Sequence, residues 1–266
     1  MSILLVAAFG GQLLRLAFNP PTTKPITFHI AVLSTRKLPY EPGGAKTNLI
    51  KFRSEYDAVL RFANRKSHRF ALHGRIQNAK VTMQEWTKEE ANKVLARKLN
   101  RSVVTATFDR QGKTIEPIIA FEPNNRDGSF ELTSYLDELA GRTFMNFDYP
   151  QSKITEGSNW VTKLEGRQFY PNREMVRTNL GQTVLVEYHV TSIKKLGKRT
   201  LVSFQSLINT TISQNNPAED NHLVKIKEEG EFTIDATDGL FVSGTFNRTD
   251  SEAGREFESS VSIDRR

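Results

Sequence analysis

Apolar and polar residues alternate along much of the chain. In the clearest stretch, from Ile50 to Phe62, most apolar side chains fall on even positions and most charged side chains on odd ones. A period of two is typical of a β-strand with one buried face. The stretch therefore predicts a half-buried strand, whose rings at Phe52, Tyr56 and Phe62 point into the core while its cations point outward.

Shorter apolar runs predict further strands separated by turns. In the first half they cover 26–33, 69–75 and 81–86, and a hairpin joins 103–108 to 114–120. In the second half they cover 184–190, 202–208, 232–234, 240–246 and 257–263. Successive hairpins of this kind are typical of an antiparallel meander.

Two short helices are predicted between the strands. Thr87 and Glu90 form a capping box, in which a hydroxyl and a carboxylate three residues apart bind the first free amides of a helix. This helix should run to about Asn100. A second is predicted over 129–140, where apolar residues share one stripe and Gly141 can end the helix. The expected fold class is α+β, mainly antiparallel β.

The second half of the chain carries a recognisable order of motifs. Phe147-Asp-Tyr-Pro150 and Gly157-Ser-Asn-Trp160 precede the long strands, and a hairpin with Asp238-Gly239-Leu240 comes near the end. Over 130–264 this order resembles a group of uncharacterised exported bacterial proteins of the lipoprotein-carrier (LolA-like) type. The resemblance implies a strongly curved sheet, or half-barrel, with one or two short helices packed on its concave side. It also implies a non-catalytic binding or carrier protein of the bacterial cell envelope.

The apolar N-terminal stretch bears on where the protein acts. Residues 1–20 are interpreted as a leader or truncated signal segment, and 21–266 as a single β-rich domain. The stretch has no basic residues at its start, so a first strand or a docked helix is the alternative. Export favours a periplasmic or extracellular location, and otherwise the protein is cytoplasmic. No apolar run approaches the roughly 18 to 20 residues that a membrane-spanning helix needs.

Positive charge is concentrated in the first half. The net charge is +7, and residues 1–150 hold 22 Lys and Arg against 14 Asp and Glu. Because most of the excess lies between Arg36 and Lys80, the predicted anion-binding residues are Lys51, Arg53, Arg61 and Arg69. Nucleic-acid binding through this surface is one alternative function. It is not favoured, because the neighbouring rings are expected to point inward, away from any base.

Motifs that would indicate catalysis are missing from the sequence. There is no nucleophile elbow, phosphate-binding loop or dinucleotide-binding glycine motif. The five histidines lack metal-site spacing, and without cysteine the chain can form no disulfide or thiolate site. The sequence thus predicts no catalytic residue, metal or cofactor, and a protein that is not an enzyme.

Aromatic residues provide the candidate ligand site. The chain has 17 phenylalanines, and rings on the concave side of a curved sheet could line a cavity for an acyl chain. The predicted ligand-binding residues are Trp160, Phe204, Phe232 and Phe246. The expected partner is a lipid or a lipidated protein. The alternative is a structural or adaptor protein whose own side chains fill the sheet.

Overall fold

The computed structural model of the chain describes residues 13–38, 48–65, 69–84, 89–121, 147–165, 183–214, 222–252 and 255–266. In the first half lie β1 (Ile26–Leu38), β2 (Asn48–Arg65), β3 (Arg69–Gln84), α1 (Glu89–Arg101), β4 (Val103–Asp109) and β5 (Thr114–Phe121). In the second half lie β6 (Asn159–Glu165), β7 (Thr183–Leu196), β8 (Arg199–Gln214), β9 (His222–Asp235), β10 (Leu240–Glu252) and β11 (Arg255–Arg265).

All the described strands belong to one antiparallel sheet. Its order is β5-β4-β3-β2-β1-β11-β10-β9-β8-β7-β6, so each strand pairs with its sequence neighbour except where β1 pairs with β11. That single non-local pairing joins two meanders into an 11-stranded sheet. Among the strands described, β5 and β6 form its two edges, and no pairing closes them onto each other.

The predicted first helix is confirmed as α1, and it protects part of an edge. β4 pairs with β3 from Arg69 to Arg75, and on that side the second half of β3 has no partner among the described strands. There α1 supplies acceptors instead, because the amide of Ala79 donates to Asn100 Oδ1 at 2.9 Å and that of Met83 to Asn92 Oδ1 at 3.1 Å. A sheet edge that is covered in this way cannot pair with a strand of another chain. The second predicted helix, 129–140, lies outside the described residues.

The two strands predicted at 69–75 and 81–86 are a single strand, β3, interrupted by a bulge. The register with β2 shifts between Glu55 and Asp57, and Asn78 on β3 has a φ of 56°. Asparagine tolerates this left-handed conformation better than most residues. The extra residue reverses the parity of the apolar positions, which explains why the sequence pattern breaks in two there.

Side chains alternate between a buried apolar face and an exposed polar face. On β2, Phe52, Tyr56 and Phe62 are buried with at most 5% exposure, whereas Lys51 and Arg61 are exposed. The predicted orientation of this strand is therefore confirmed.

Two segments outside the sheet cover the apolar face. The first is 13–20, in which Leu16 and Phe18 are buried. The second is 147–154, which bonds to the first through the amides and carbonyls of Leu14 and Ile154 at 2.9 and 2.7 Å. Of the predicted leader, residues 1–12 lie outside the described part of the chain, and within 13–20 the side chains of Leu16, Phe18 and Pro20 are buried.

The one helix in the described part of the chain is not a membrane span. α1 has 13 residues and a largely polar sequence, and it does not meet the length or the hydropathy that a spanning helix requires.

The carboxylate of Asp57 ties the middle of the sheet together. It accepts a hydrogen bond from Asn78 Nδ2 at 2.8 Å, lies 2.9 Å from His29 Nδ1, and pairs with Arg266 Nη1 at 3.3 Å. Burial acts to raise the pKa of Asp57, but the hydrogen bonds from Asn78 and His29 and the charge of Arg266 outweigh it, so the pKa lies below its usual value. The ionised carboxylate thus holds β1, the bulge in β3 and the C-terminus to β2.

Stability should depend on pH through Asp57. A depressed folded-state pKa adds stability that is present above the unfolded value of about 4 and is lost as the pH falls through the folded value. We expect Asp57→Asn to cost about 1 to 3 kcal/mol at pH 7, and its deficit against the wild type to shrink as the pH falls below about 4. Urea unfolding across this pH range measures the difference.

The matched control is Glu187→Gln, which removes an exposed carboxylate from β7, in the other half of the sheet. At pH 7 its stability should stay within about 0.5 kcal/mol of the wild type. A deficit for Asp57→Asn of equal size at neutral and acidic pH would contradict the role assigned to the charge.

Candidate functional site

The four predicted ligand residues lie together on the apolar face. The rings of Phe204 and Phe232, on β8 and β9, stack with centroids 5.1 Å apart, and Phe246 on β10 stacks on Phe232 at 5.6 Å. Trp160 on β6 lies 5.9 Å from Phe204 and stacks on Tyr188 at 5.1 Å. These rings form one aromatic cluster spanning β6 to β10.

Glycines on neighbouring strands make room for the rings. Gly230 lies opposite Phe246, and Gly244 lies opposite Phe232. A Cβ at Gly230 would come within 2.6 Å of the Phe246 ring and would also clash with Ser206 Oγ. A glycine within a strand often marks such a close approach. The ring stack therefore depends on the absence of a side chain at Gly230.

Phe147 fills the centre of this cluster from outside the sheet. Its ring lies 5.3 Å from that of Phe204, 5.6 Å from that of Phe232 and 5.1 Å from that of Tyr188. Phe147 is 4% exposed, so the space above the stacked rings is occupied by the protein's own side chain.

Hydrogen bonds from the sheet anchor the segment that carries Phe147. The Trp160 indole donates to the Asp148 carbonyl at 3.4 Å, and the Thr162 hydroxyl donates to the Asp148 carboxylate. The Tyr149 hydroxyl donates to the carbonyl of Gly239 in the β9–β10 turn. Segment 147–150 is thus a short strap, anchored through Asp148 and Tyr149, that presses one ring onto the cluster.

The apolar face also contains a buried ionic group that the sequence analysis missed. Arg248 Nε and Nη2 lie 2.5 and 2.8 Å from the two carboxylate oxygens of Asp250, and Nη1 lies 4.0 Å from Glu228. The Arg248 side chain is only 1% exposed. The sequence did contain a signal for this burial. Arg248 is two positions after Phe246 on β10, so both side chains point to the same face of the sheet. This arginine is bound by carboxylates of its own chain.

The predicted anion-binding residues divide between two places on the polar face. Arg53 Nη2 lies 2.5 Å from Glu55, and this hydrogen bond and charge lower the pKa of Glu55. Lys51 lies on the same half of β2. Arg61 and Arg69 lie at the other end, beside the β2–β3 connection, where they are joined by Arg65, which the sequence analysis did not single out.

A groove of about 590 Å³ lies on the polar face over β6 to β9. Its lining combines the polar side chains of Glu187, His189, Glu229 and Glu231 with the exposed apolar side chains of Val161 and Leu207. His189 Nδ1 lies 2.6 Å from Asn159 Oδ1. The groove is on the opposite side of the sheet from the aromatic cluster.

Within the described segments, no group of three or more histidine or acidic side chains is placed to hold a metal ion.

No protein-family model and no curated protein matches the chain. Among solved structures, a chain described under "lipid-protein interactions in lipovitellin" is similar, with a TM-score of 0.51, 11% identity and 94% of this chain covered. The present chain spans 25% of the length of that lipovitellin chain. This likeness shows a shared β-rich fold. The resemblance to lipoprotein carriers stays a prediction.

A second solved structure is DynF, from the dynemicin biosynthesis pathway of Micromonospora chersina. It aligns over 94% of this chain and 84% of its own, with a TM-score of 0.22 and 8% identity. At that score the alignment carries no structural argument.

Replacing Gly230 should destabilise the aromatic cluster. Gly230→Val forces a branched side chain against the Phe246 ring, and overpacking of this kind costs about 1 to 3 kcal/mol. The control is Thr245→Val on the exposed face of β10, which should stay within about 0.5 kcal/mol of the wild type. Thermal unfolding of both variants measures the difference, and equal stability of the two would contradict the close packing.

Proposed function

We propose that this chain is a non-catalytic protein of the cell envelope that binds the acyl chain of a lipid on the apolar face of its sheet. The observation that carries the proposal is the aromatic cluster. All four predicted ligand residues belong to it, and a strap outside the sheet, rather than another strand, covers it. The likeness of the fold to lipovitellin, whose description names lipid–protein interactions, is in keeping with this function.

Ring-to-ring distances support a sheet that curves around its apolar face. Phe108 on β4 and Phe204 on β8 are joined through Phe18, Tyr149 and Phe147 by centroid distances of 5.4, 5.9, 4.8 and 5.3 Å, so they lie at most about 21 Å apart. β4 and β8 are seven strand spacings apart. In a flat sheet that separation would be about 34 Å. Bending toward the apolar face accounts for the difference and makes this face concave.

A bound acyl chain would take the place of Phe147. The Phe147 ring already occupies the apolar space between Trp160, Tyr188 and the stacked rings. A hydrocarbon chain offers the same surface by burying methylene groups at about 0.8 kcal/mol each. Lipid binding is then an exchange, in which the strap leaves the cluster as the chain enters it.

The location and the absence of catalysis are part of the proposal. The apolar residues near the start of the chain favour export to the envelope. A carrier needs an apolar binding face and no reacting group, and the aromatic cluster supplies such a face.

The proposal is tested by measuring lipid binding in the wild type and in variants that lack the Phe147 ring. Native mass spectrometry of the gently purified protein should show a co-purifying lipid. A fluorescent fatty acid should bind Phe147→Ala and Phe147→Leu more tightly than the wild type, because the ligand no longer has to displace the full ring. The milder leucine variant guards against unfolding, since Phe to Ala costs about 3 to 5 kcal/mol in a core.

The control is Phe18→Leu, which removes a buried ring from the packing against Phe62 and Phe108. It should lower stability without raising fatty-acid affinity. A clean apo mass, with no uptake by the wild type or by the Phe147 variants, overturns the carrier proposal. That result would favour the second candidate, an adaptor protein whose core is filled by its own side chains, as Phe147 fills the cluster here.

A further inference from the structure

Five exposed cations lie together at one corner of the polar face. Arg61 and Arg65 lie near the C-terminal end of β2. Arg69 is the first residue of β3 and lies directly opposite Arg65. Arg69 is in turn paired with Asp109 at the end of β4, so the turn that carries Arg110 and Lys113 lies beside it. We call this group the cationic corner. It consists of Arg61, Arg65, Arg69, Arg110 and Lys113.

The carboxylate of Asp109, at this corner, is already engaged. Asp109 Oδ1 accepts hydrogen bonds from the amides of Gln111 at 2.8 Å and Lys113 at 2.9 Å, which shape the β4–β5 turn. Like charges placed directly opposite each other on neighbouring strands, as Arg65 and Arg69 are, destabilise a sheet. A partner with several negative charges would relieve that repulsion.

The corner lies next to the covered apolar interior. Gly112, in the same turn, is buried, and a Cβ built on it would come 2.5 Å from the Tyr149 ring and 2.9 Å from Phe18 Cβ. Phe18 and Tyr149 belong to the two segments that fill the apolar face, and Tyr149 contacts Phe147 at 4.8 Å. Only the β4–β5 turn thus separates the cationic corner on the surface from the end of the aromatic interior.

The side chains at the corner favour a lipid surface over nucleic acid. Single-strand binders stack bases on exposed rings within a positive groove. The rings nearest the corner point to the other face: Phe62 and Phe108 are 2% and 0% exposed, and Phe70 is half-buried and packs edge-on against Phe18 at 5.4 Å. An anionic bilayer needs only a cluster of cations within a Debye length of its surface.

We propose that the cationic corner docks the protein on an anionic phospholipid surface, beside the end of the sheet through which an acyl chain would pass. Docking deepens the proposed function by naming the partner that supplies the lipid. The two can fail separately, because docking depends on exposed cations and acyl binding on buried rings.

The test measures co-sedimentation of the protein with vesicles. Wild type should bind phosphatidylcholine vesicles containing roughly one third phosphatidylglycerol, should not bind pure phosphatidylcholine, and should dissociate as salt is raised. Arg65→Gln/Arg69→Gln should bind about 30-fold more weakly, at about fivefold for each cation lost near the surface. Its thermal midpoint should equal or exceed that of the wild type, because the opposed charges are removed.

The matched control is Lys194→Gln/Lys195→Gln, which removes two exposed cations from β7, in the other half of the sheet. It should bind the anionic vesicles as the wild type does. Equal loss in both variants, equal binding to neutral and anionic vesicles, or no binding at all overturns the docking proposal. So does binding of single-stranded RNA that exceeds vesicle binding at the same salt and needs Arg65 and Arg69.

Fatty-acid uptake measured on Arg65→Gln/Arg69→Gln separates docking from the proposed function. Normal uptake with lost vesicle binding supports both proposals. Vesicle binding that needs the corner in a protein that takes up no fatty acid supports docking and overturns the carrier.

Discussion

An open sheet with one apolar face is stable only if that face is kept from water. Here the 11 described strands share such a face, and the segments 13–20 and 147–154 cover it. Burying one phenylalanine side chain contributes about 1.5 to 3 kcal/mol to the stability of the fold, so Phe18 and Phe147 both add substantially to it. The conformation of these two segments therefore decides how the two halves of the sheet pack.

Because separate segments cover the apolar face, a ligand could replace one of them at a single place. Sheet residues cannot leave the core without breaking ladder hydrogen bonds, whereas the strap 147–150 is held by a few side-chain bonds from Trp160, Thr162 and Tyr149. Removing its ring exposes the stack of Phe204, Phe232 and Phe246 without disturbing a strand pair. The strap is thus the part of the core that a ligand could replace at the smallest cost in stability.

Sequence patterns predicted the features that are local. The period of two in β2 gave the faces of Phe52 and Arg61 correctly, and the capping residue Glu90 lies in the first turn of α1. The bulge at Asn78 was missed because one inserted residue makes a continuous strand look like two. The pairing of β1 with β11 carries no local signal, because it joins residues more than 200 positions apart. The cross-strand pair of Arg65 and Arg69 becomes visible only once the register is known.

The charges on the two faces bear on how an amphipathic lipid would lie. Inside, the guanidinium of Arg248 is already bound by the carboxylates of Asp250 and Glu228. Outside, the cationic corner carries five bases, and the neighbouring carboxylate of Asp109 is engaged in the β4–β5 turn. An anion is stabilised by the second environment, whereas in the first it would compete with these carboxylates for Arg248. We infer that a bound lipid keeps its head group at the corner and places only its acyl chain against the aromatic cluster.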